Sequence, residues 1–446
     1  MTLKFGTDGV RGVANQELTP ELALTLGRAG ARVLGGEQWV IGRDTRRSGP
    51  LLAAALAAGL ATEGVEVVDL GVAPTPGVAF LAAADGMAAA VISASHNHFG
   101  DNGIKFFAAG GRKLSDELEA QLEAELASLG SPVDLRPRPS GTGVGTIVWA
   151  PELLARYREH LVAGVLDPGA LAGLRVVVDG ANGAASALAA DVFGALGATV
   201  HAIHTAPDGV NINERCGSTH PEDLQAAVVA HGAHVGLAFD GDADRMLAVD
   251  ATGALVDGDQ IIGICAIDLH ARGELANDTV VVTVMSNLGF RQGMAARGIE
   301  VVITDVGDRH VAEQLADGGY VLGGEQSGHV IFPNLASTGD GMLTGLALTG
   351  VMARTGLPLA RLAAEAMVRL PQVLINVRMA RRDPDLVAKV AGPVADAEAR
   401  LGDRGRILLR PSGTEPVVRV MVEAPTLEEA TEVADHLASV VAALDD

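Results

Sequence analysis

The chain is short of aromatic residues, cysteine, lysine and long apolar runs, and each scarcity excludes something. Aromatics make up 3% of a sequence that is 48% hydrophobic, so the core must be built from Ala, Val, Leu and Ile. Buried, mainly parallel sheets covered by Ala-rich helices have such cores, which favours an α/β architecture. Cys216 and Cys265 lack C-x-x-C spacing and are too few for a disulfide framework or a zinc site. A reducing, cytoplasmic setting is expected. Of 33 basic residues only Lys4, Lys105, Lys113 and Lys389 are lysine, so the surroundings of each are worth reading. No apolar stretch reaches about 18 residues without a charge or repeated glycine, and the opening Met1 to Asp8 has no apolar leader. Neither a membrane span nor an export signal is expected.

Positive charge is also outweighed. A formal net charge of −22 argues against nucleic acid and anionic membranes as partners, because counterion release needs clustered Lys and Arg. An anionic small substrate would need a pocket made locally positive, which gives weight to arginines inside motifs.

With 446 residues the chain exceeds one hydrophobic core and should divide into three or four domains. Short β-branched runs alternate with Ala/Leu-rich amphipathic stretches, the pattern of βαβ units. Three apolar runs end alike: Met87 to Ile92 enters Ser93-Ala-Ser95-His96-Asn97, Val235 to Phe239 enters Asp240-Gly-Asp242-Ala-Asp244-Arg245, and Tyr320 to Leu322 enters Gly323-Gly-Glu325-Gln326-Ser327-Gly-His329. Ligands of open α/β sheets bind beyond the carboxyl ends of strands, so three similar domains facing one central cleft are expected. A Pro/Gly/Ser-rich stretch, Ser131 to Gly145, reads as a linker. The expected domains are 1–150 with the Ser95 loop, 151–250 with the aspartate loop, 251–368 with the Glu325 loop, and a small α+β domain over 369–446.

Alternating carboxylates on an extended loop can turn onto one cation, and Asp240, Asp242 and Asp244 suit Mg²⁺, leaving positions for phosphate oxygen and water. An EF-hand is excluded because Arg245 and Ala251 stand where its Gly and bidentate Glu must be. Arg245 would meet phosphate rather than metal. Ser95 at a strand end is a candidate phosphoryl carrier, supported by Asn97 and by Asp101 to Lys105, which offers a cation. Adjacent residues on an extended segment point apart, so Ser95 and His96 are not expected to form an acyl-transfer pair.

Glu325, Ser327 and His329 offer a carboxylate, a hydroxyl and an imidazole suited to sugar hydroxyls and proton transfer. Arg410-Pro-Ser412-Gly413-Thr414-Glu-Pro, with Arg419, has the composition of an anion nest and lacks the Gly-Lys-Ser/Thr of a Walker loop. Phe5 to Gly12, with Arg11 suited to a phosphate, and Gly42-Arg43-Asp44 are weaker signals. Arg43 is expected in an ion pair with Asp44 or another carboxylate.

Taken together, Ser95 to Asn97, the Asp240 to Arg245 string, Gly324 to His329 and Arg410 to Arg419 resemble, in order and along the whole chain, the motifs of the α-D-phosphohexomutase superfamily. The resemblance implies three similar α/β domains and a smaller fourth. It also implies that Ser95 is phosphorylated and joins Asp240, Asp242 and Asp244 on one Mg²⁺. Glu325, Ser327 and His329 would recognise the sugar, and Arg410, Ser412, Gly413, Thr414 and Arg419 the non-reacting phosphate. His96, Lys105, Arg245, His329 and Arg11 would complete the catalytic set. Gln326 and the Phe5 to Gly12 string look like the glucosamine branch, whereas phosphomannomutase/phosphoglucomutases tend to have methionine at the place of Gln326. His98 departs from the proline usual after Ser-His-Asn.

The implied reaction interconverts glucosamine 6-phosphate and glucosamine 1-phosphate through a hexosamine 1,6-bisphosphate, which also serves as activator, and feeds UDP-N-acetylglucosamine and peptidoglycan synthesis. A homodimer is implied. Ser95 could first be phosphorylated by a bisphosphate, a nucleotide or an activating kinase. Reorientation of the intermediate needs a hinge near 367 to 372. Two other readings stay open: a phosphomannomutase/phosphoglucomutase, and a metal-dependent sugar-phosphate phosphatase. A non-catalytic sugar-phosphate binder would need neither nucleophile nor metal.

Overall fold

A computed structural model of the chain describes residues 9–129, 137–380, 385–411 and 416–444. Two compact units result: one runs to Met285 and resumes over Gly298–Glu365, and the other combines Ser286–Arg297 with the chain from Ala366 onward. The first unit holds three α/β sheets and the second a small antiparallel one.

The first sheet is mixed. Its central strands Gln38–Arg43, Glu66–Val72 and Ala88–Ile92 run parallel, with Ile147–Trp149 parallel at one edge; at the other, Asp101–Ala108 pairs antiparallel with Ala88–Ile92 and Val10–Val13 pairs antiparallel with Asp101–Ala108. Alternation along Gln38–Arg43 sends Trp39 and Ile41 into one buried cluster and Val40 into another, so both faces are covered and the domain has three layers. Small residues allow the helices on one face to pack tightly. A Cβ on Gly27 would lie 2.3 Å from the carbonyl oxygen of Leu56, and one on Gly59 would lie 2.1 Å from that of Leu24. The backbones of Pro20–Leu34 and Gly49–Thr62 therefore meet directly, as a core short of aromatics requires.

In the second sheet Val235–Phe239, Arg175–Asp179 and Thr199–Ile203 are parallel, and Met246–Asp250 with Leu255–Val256 extend it antiparallel. In the third, Glu300–Thr304, Thr279–Thr283 and Gly323–Gly324 are parallel, with Val330–Ile331 antiparallel. The strand expected at Tyr320 to Leu322 thus falls two to three residues later, on glycines. A Cβ on Gly323 would stand 2.7 Å from the carbonyl oxygen of Val281, so close pairing here outweighs the poor strand propensity of glycine.

The three domains share one device. In each, a parallel strand, its loop and an antiparallel neighbour follow in sequence: Ala88–Ile92 to Asp101–Ala108, Val235–Phe239 to Met246–Asp250, and Gly323–Gly324 to Val330–Ile331. The intervening loops are those of Ser95, the aspartates and Glu325.

The second unit pairs Gln372–Arg378, Val417–Glu423 and Arg406–Pro411 antiparallel, with Val417–Glu423 central. Helix Leu427–Ala442 packs on it through Ala430, Val433, Ala434, Leu437 and Val441. Two helices, Leu386–Lys389 and Ala391–Leu401, precede the strand Arg406–Pro411. No helix among the described residues is long and apolar enough to cross a membrane.

Candidate active site

Ser95 is buried, with 1% exposure, and its backbone is left-handed at φ +50°. Its amide donates to Ser93 Oγ at 2.9 Å, and Ser93 Oγ donates to Asp44 Oδ2 at 2.6 Å. The Ser95 hydroxyl donates to Asp240 Oδ2 at 2.5 Å, joining the first two loops. The extended geometry expected for Ser95 and His96 is absent. The left-handed turn instead brings His96 Nδ1 to 3.3 Å from Ser95 Oγ, and Arg245 Nη1 donates to the same nitrogen at 3.2 Å. A guanidinium only donates, so Nδ1 accepts and the neutral ring carries its proton on Nε2. Burial lowers the His96 pKa, helped by the charges of Arg245 and Arg11.

Asp240, Asp242 and Asp244 are all buried, and each offers a carboxylate oxygen within 4.8 Å of the others. Burial raises the Asp240 carboxyl well above its ordinary value, reinforced by Asp242 and Asp244. Burial pushes Asp244 the same way, but His329, Lys105 and Arg245 outweigh it and hold that carboxyl well below the usual range. Asp242 Oδ1 and Asp244 Oδ1 accept no hydrogen bond although both are buried. Unsatisfied oxygens beside converging like charges suit a hard divalent cation, with Ser95 Oγ as a further oxygen. Asp242 is fixed by Thr75, whose Oγ1 donates to Oδ2 at 2.7 Å and whose amide donates to the backbone oxygen at 2.9 Å.

A second group among the described residues, Asp179, His204 and Cys216, also draws together. Asp179 accepts from the amides of Ala181 and Gly217, each at 2.9 Å. Burial pushes the Cys216 thiol up to about 12, so this cluster braces loops and offers no ready thiolate.

Lys105, on the strand Asp101–Ala108, places Nζ 3.5 Å from Asp244 Oδ2. His329 Nδ1 is 3.6 Å from Asp244 Oδ1, while its Nε2 accepts from the amide of Gly339 at 3.1 Å and faces Asp308 Oδ2 at 3.5 Å. Asp308 in turn pairs with Lys113. Glu325 Oε1 accepts from the amide of Gly307 at 3.2 Å, and Ser327 donates to Glu325 Oε2 at 3.3 Å. The amide of Met246 donates to the backbone oxygen of Gly328 at 3.0 Å, tying the third loop to the second. Arg11 lies opposite Gly103 in the first sheet, where its charge reaches His96.

Ser95, His96, Lys105, Arg245, His329 and the three aspartates therefore come together. In the second unit Arg410 and Arg419 are direct cross-strand partners, so that sheet carries two guanidinium groups side by side. Ser412, Gly413 and Thr414 lie outside the described residues. Sequence reasoning missed Arg46, Thr75, Asn213 and Asp308. Arg46 was legible only as a further arginine two places after Asp44. Arg43 pairs with a carboxylate as expected, that of Asp69 at 3.7 Å.

Four family models match in chain order. They are described as phosphoglucomutase/phosphomannomutase alpha/beta/alpha domain I over residues 2–132, domain II over 155–253, domain III over 257–370, and the C-terminal domain over 374–440. The chain is 56% identical over 457 residues to a phosphoglucosamine mutase of Frankia alni, covering 99% of each. A crystal structure of a phosphoglucomutase/phosphomannomutase family protein from Burkholderia thailandensis shares 29% identity and a TM-score of 0.79, covering 96% of each chain. The N-acetylphosphoglucosamine mutase of Aspergillus fumigatus, in complex with GlcNAc-6P and magnesium, shares the fold. It has a TM-score of 0.71 at 19% identity, covering 100% of this chain and 96% of that one.

Proposed function

The chain belongs to the phosphoglucomutase/phosphomannomutase family, and from that premise we propose that it interconverts glucosamine 6-phosphate and glucosamine 1-phosphate. It is an enzyme, an isomerase that moves a phosphoryl group within one sugar. The observation that carries the mechanism is the Ser95 hydroxyl 2.5 Å from Asp240, inside a cluster of three buried carboxylates. Binding alone would call for neither a nucleophile nor a cation site.

In the proposed cycle phosphoserine 95 gives its phosphoryl group to the free sugar hydroxyl. The bond from phosphorus to Ser95 Oγ breaks as the bond to the sugar oxygen forms; the sugar hydroxyl gives its proton to a base, and Ser95 Oγ leaves as a hydroxyl by taking up a proton. The resulting 1,6-bisphosphate turns over, and Ser95 Oγ takes back the other phosphoryl group. In-line transfer of this kind depends on positioning and charge. Arg245 would meet the transferring oxygens. Lys105 is the acid/base candidate, because a buried ammonium can lose a proton where a guanidinium cannot. His96 accepts at Nδ1 beside the nucleophile, and Arg11 adds positive charge. Glu325, Ser327 and His329 would hold the sugar hydroxyls, and Arg410, Ser412, Gly413, Thr414 and Arg419 the distal phosphate. One Mg²⁺ held by Asp240, Asp242, Asp244 and Ser95 would supply charge neutralisation at the transferring phosphoryl group.

Hexosamine 1,6-bisphosphate serves in this reading as both activator and intermediate, with a separate kinase as the other source of the first phosphate. The product feeds UDP-N-acetylglucosamine and peptidoglycan synthesis in the cytoplasm. Two free, buried cysteines accord with a reducing compartment, and we read the enzyme as a homodimer.

Phosphorus NMR decides the reaction, with Mg²⁺, a trace of hexose 1,6-bisphosphate and the 6-phosphates of glucosamine, glucose and mannose offered in turn. The 1-phosphate should appear fastest from glucosamine and not at all with Ser95→Ala. Comparable rates from glucose or mannose would select the phosphomannomutase/phosphoglucomutase reading, and free phosphate alone a phosphatase.

A further inference from the structure

We propose that Arg46 is the positioning residue of the phosphoryl-carrying loop, holding the backbone of Ser95 in the conformation that aims its hydroxyl at Asp240. This rests on the mutase reading and adds to it a residue that touches no substrate. Arg46 lies between the strand Gln38–Arg43 and the helix Gly49–Thr62, with 1% exposure.

A guanidinium has five N–H donors, and here each has an acceptor. Nε donates to Asp44 Oδ2 at 2.8 Å. Nη2 donates to the backbone oxygens of Ser95 at 3.0 Å and Asn97 at 2.8 Å. Nη1 donates to that of Asp101 at 3.1 Å and to that of His98. Four carbonyls of one loop thus converge on a single cation. Their dipoles would repel one another without it, and the turn they form includes a serine in a left-handed conformation that residues with a Cβ seldom adopt.

The ring is closed from behind. Asp44 accepts from the Arg46 amide at 2.9 Å and from Ser93 Oγ, which in turn receives the Ser95 amide. From the second domain, Asn213 Nδ2 donates to the oxygens of Ser95 at 2.9 Å and Asn97 at 3.0 Å, duplicating two of the four contacts. The bond to the backbone oxygen of His98 also restrains the loop at that position. Lysine cannot replace it, since an ammonium offers three donors and would leave loop carbonyls unsatisfied.

The test compares wild type, Arg46→Lys, Arg46→Ala and Asn213→Ala as full chains with Mg²⁺. It reads kcat and KM for glucosamine 6-phosphate, thermal melting, and amide hydrogen exchange over residues 93–101 and 240–244. Arg46→Lys should lower kcat roughly a hundredfold with KM changed less than about threefold. Exchange should speed up over 93–101 and stay as in wild type over 240–244. Asn213→Ala, which keeps Arg46, should show the same pattern more weakly and covers the case in which Arg46→Ala fails to fold. Wild-type kcat and exchange in Arg46→Lys would overturn the proposal, as would a lowered melting point with kcat per folded molecule unchanged. Should wild type leave glucosamine 6-phosphate untouched, the functional reading fails, and the exchange data still decide the role of Arg46: lost protection supports it, unchanged protection overturns it.

Discussion

Tyr157 donates its hydroxyl to Asp340 Oδ2 at 2.8 Å, both side chains buried and 183 residues apart. Asp340 also caps the helix Gly341–Thr355 by accepting the Leu343 amide at 3.0 Å. Its neighbours serve the site, since the amide of Gly339 holds His329 Nε2 and that of Gly341 binds the backbone oxygen of Ala243. Burial raises the Asp340 carboxyl from 3.8 to about 6. The folded state therefore holds this proton more tightly than the unfolded state does. Stability from this group is full below about pH 4 and is lost as pH rises through about 6. Asp340→Asn should flatten that part of the stability profile, which chemical unfolding measured from pH 4 to 7 would show. Tyr157→Phe leaves the carboxylate short of a donor and should cost about 1–3 kcal/mol at neutral pH. A wild-type unfolding midpoint in that variant would rule this out.

Removing one charge from the aspartate cluster should have opposite effects with and without metal. Without metal, three buried carboxylates repel, and burial with the charges of Asp242 and Asp244 raises the Asp240 carboxyl. Asp240→Asn should melt higher than wild type in chelator. In saturating Mg²⁺ the wild type should gain stability by mass action, and the variant should gain much less. Differential scanning calorimetry with and without Mg²⁺ measures both, and a variant that melts lower than wild type in chelator contradicts the account.

Lys105 can act as a proton carrier or as a fixed positive charge, and arginine separates the two. Its Nζ faces Asp244 at 3.5 Å with 6% of the residue exposed, so the cation is held inside the cluster. If the proton is what matters, Lys105→Arg should lose at least about a hundredfold in kcat, nearly as much as Lys105→Ala. Steady-state rates across pH for the two variants test this, and full activity in Lys105→Arg would leave only the charge role.

The fold could be read to the extent that local patterns report it. Continuous apolar runs such as Ala88–Ile92 and Val235–Phe239 are buried strands, and the acidic triplet that follows the second draws together as alternation suggests. What could not be read depends on distant partners. Arg46 meets carbonyls 49 to 55 residues away, and Asn213 meets the same loop across 116 to 118. No periodicity records such contacts. The relation of Ser95 to His96 was misjudged for a different reason: one left-handed residue reverses the side-chain directions that an extended chain would impose. The strand before the third loop was placed two to three residues too early because its two residues are glycines, which close backbone approach favours there.

Gln326 is the residue on which sugar preference should turn. It follows Glu325 in the third loop, half-buried, and its backbone oxygen accepts the amide of Gly258 at 3.0 Å. The backbone is thus pinned, and a change of side chain should leave the loop in place. An amide at this position can hydrogen-bond a sugar's amino or hydroxyl group, whereas a thioether cannot donate. Gln326→Met should therefore lower kcat/KM for glucosamine 6-phosphate relative to glucose 6-phosphate by roughly tenfold or more, because a site that loses a polar contact discriminates less. Competing the two substrates in one tube and following both 1-phosphates by phosphorus NMR measures the ratio directly. An unchanged ratio would move the source of specificity to Glu325, Ser327 or His329.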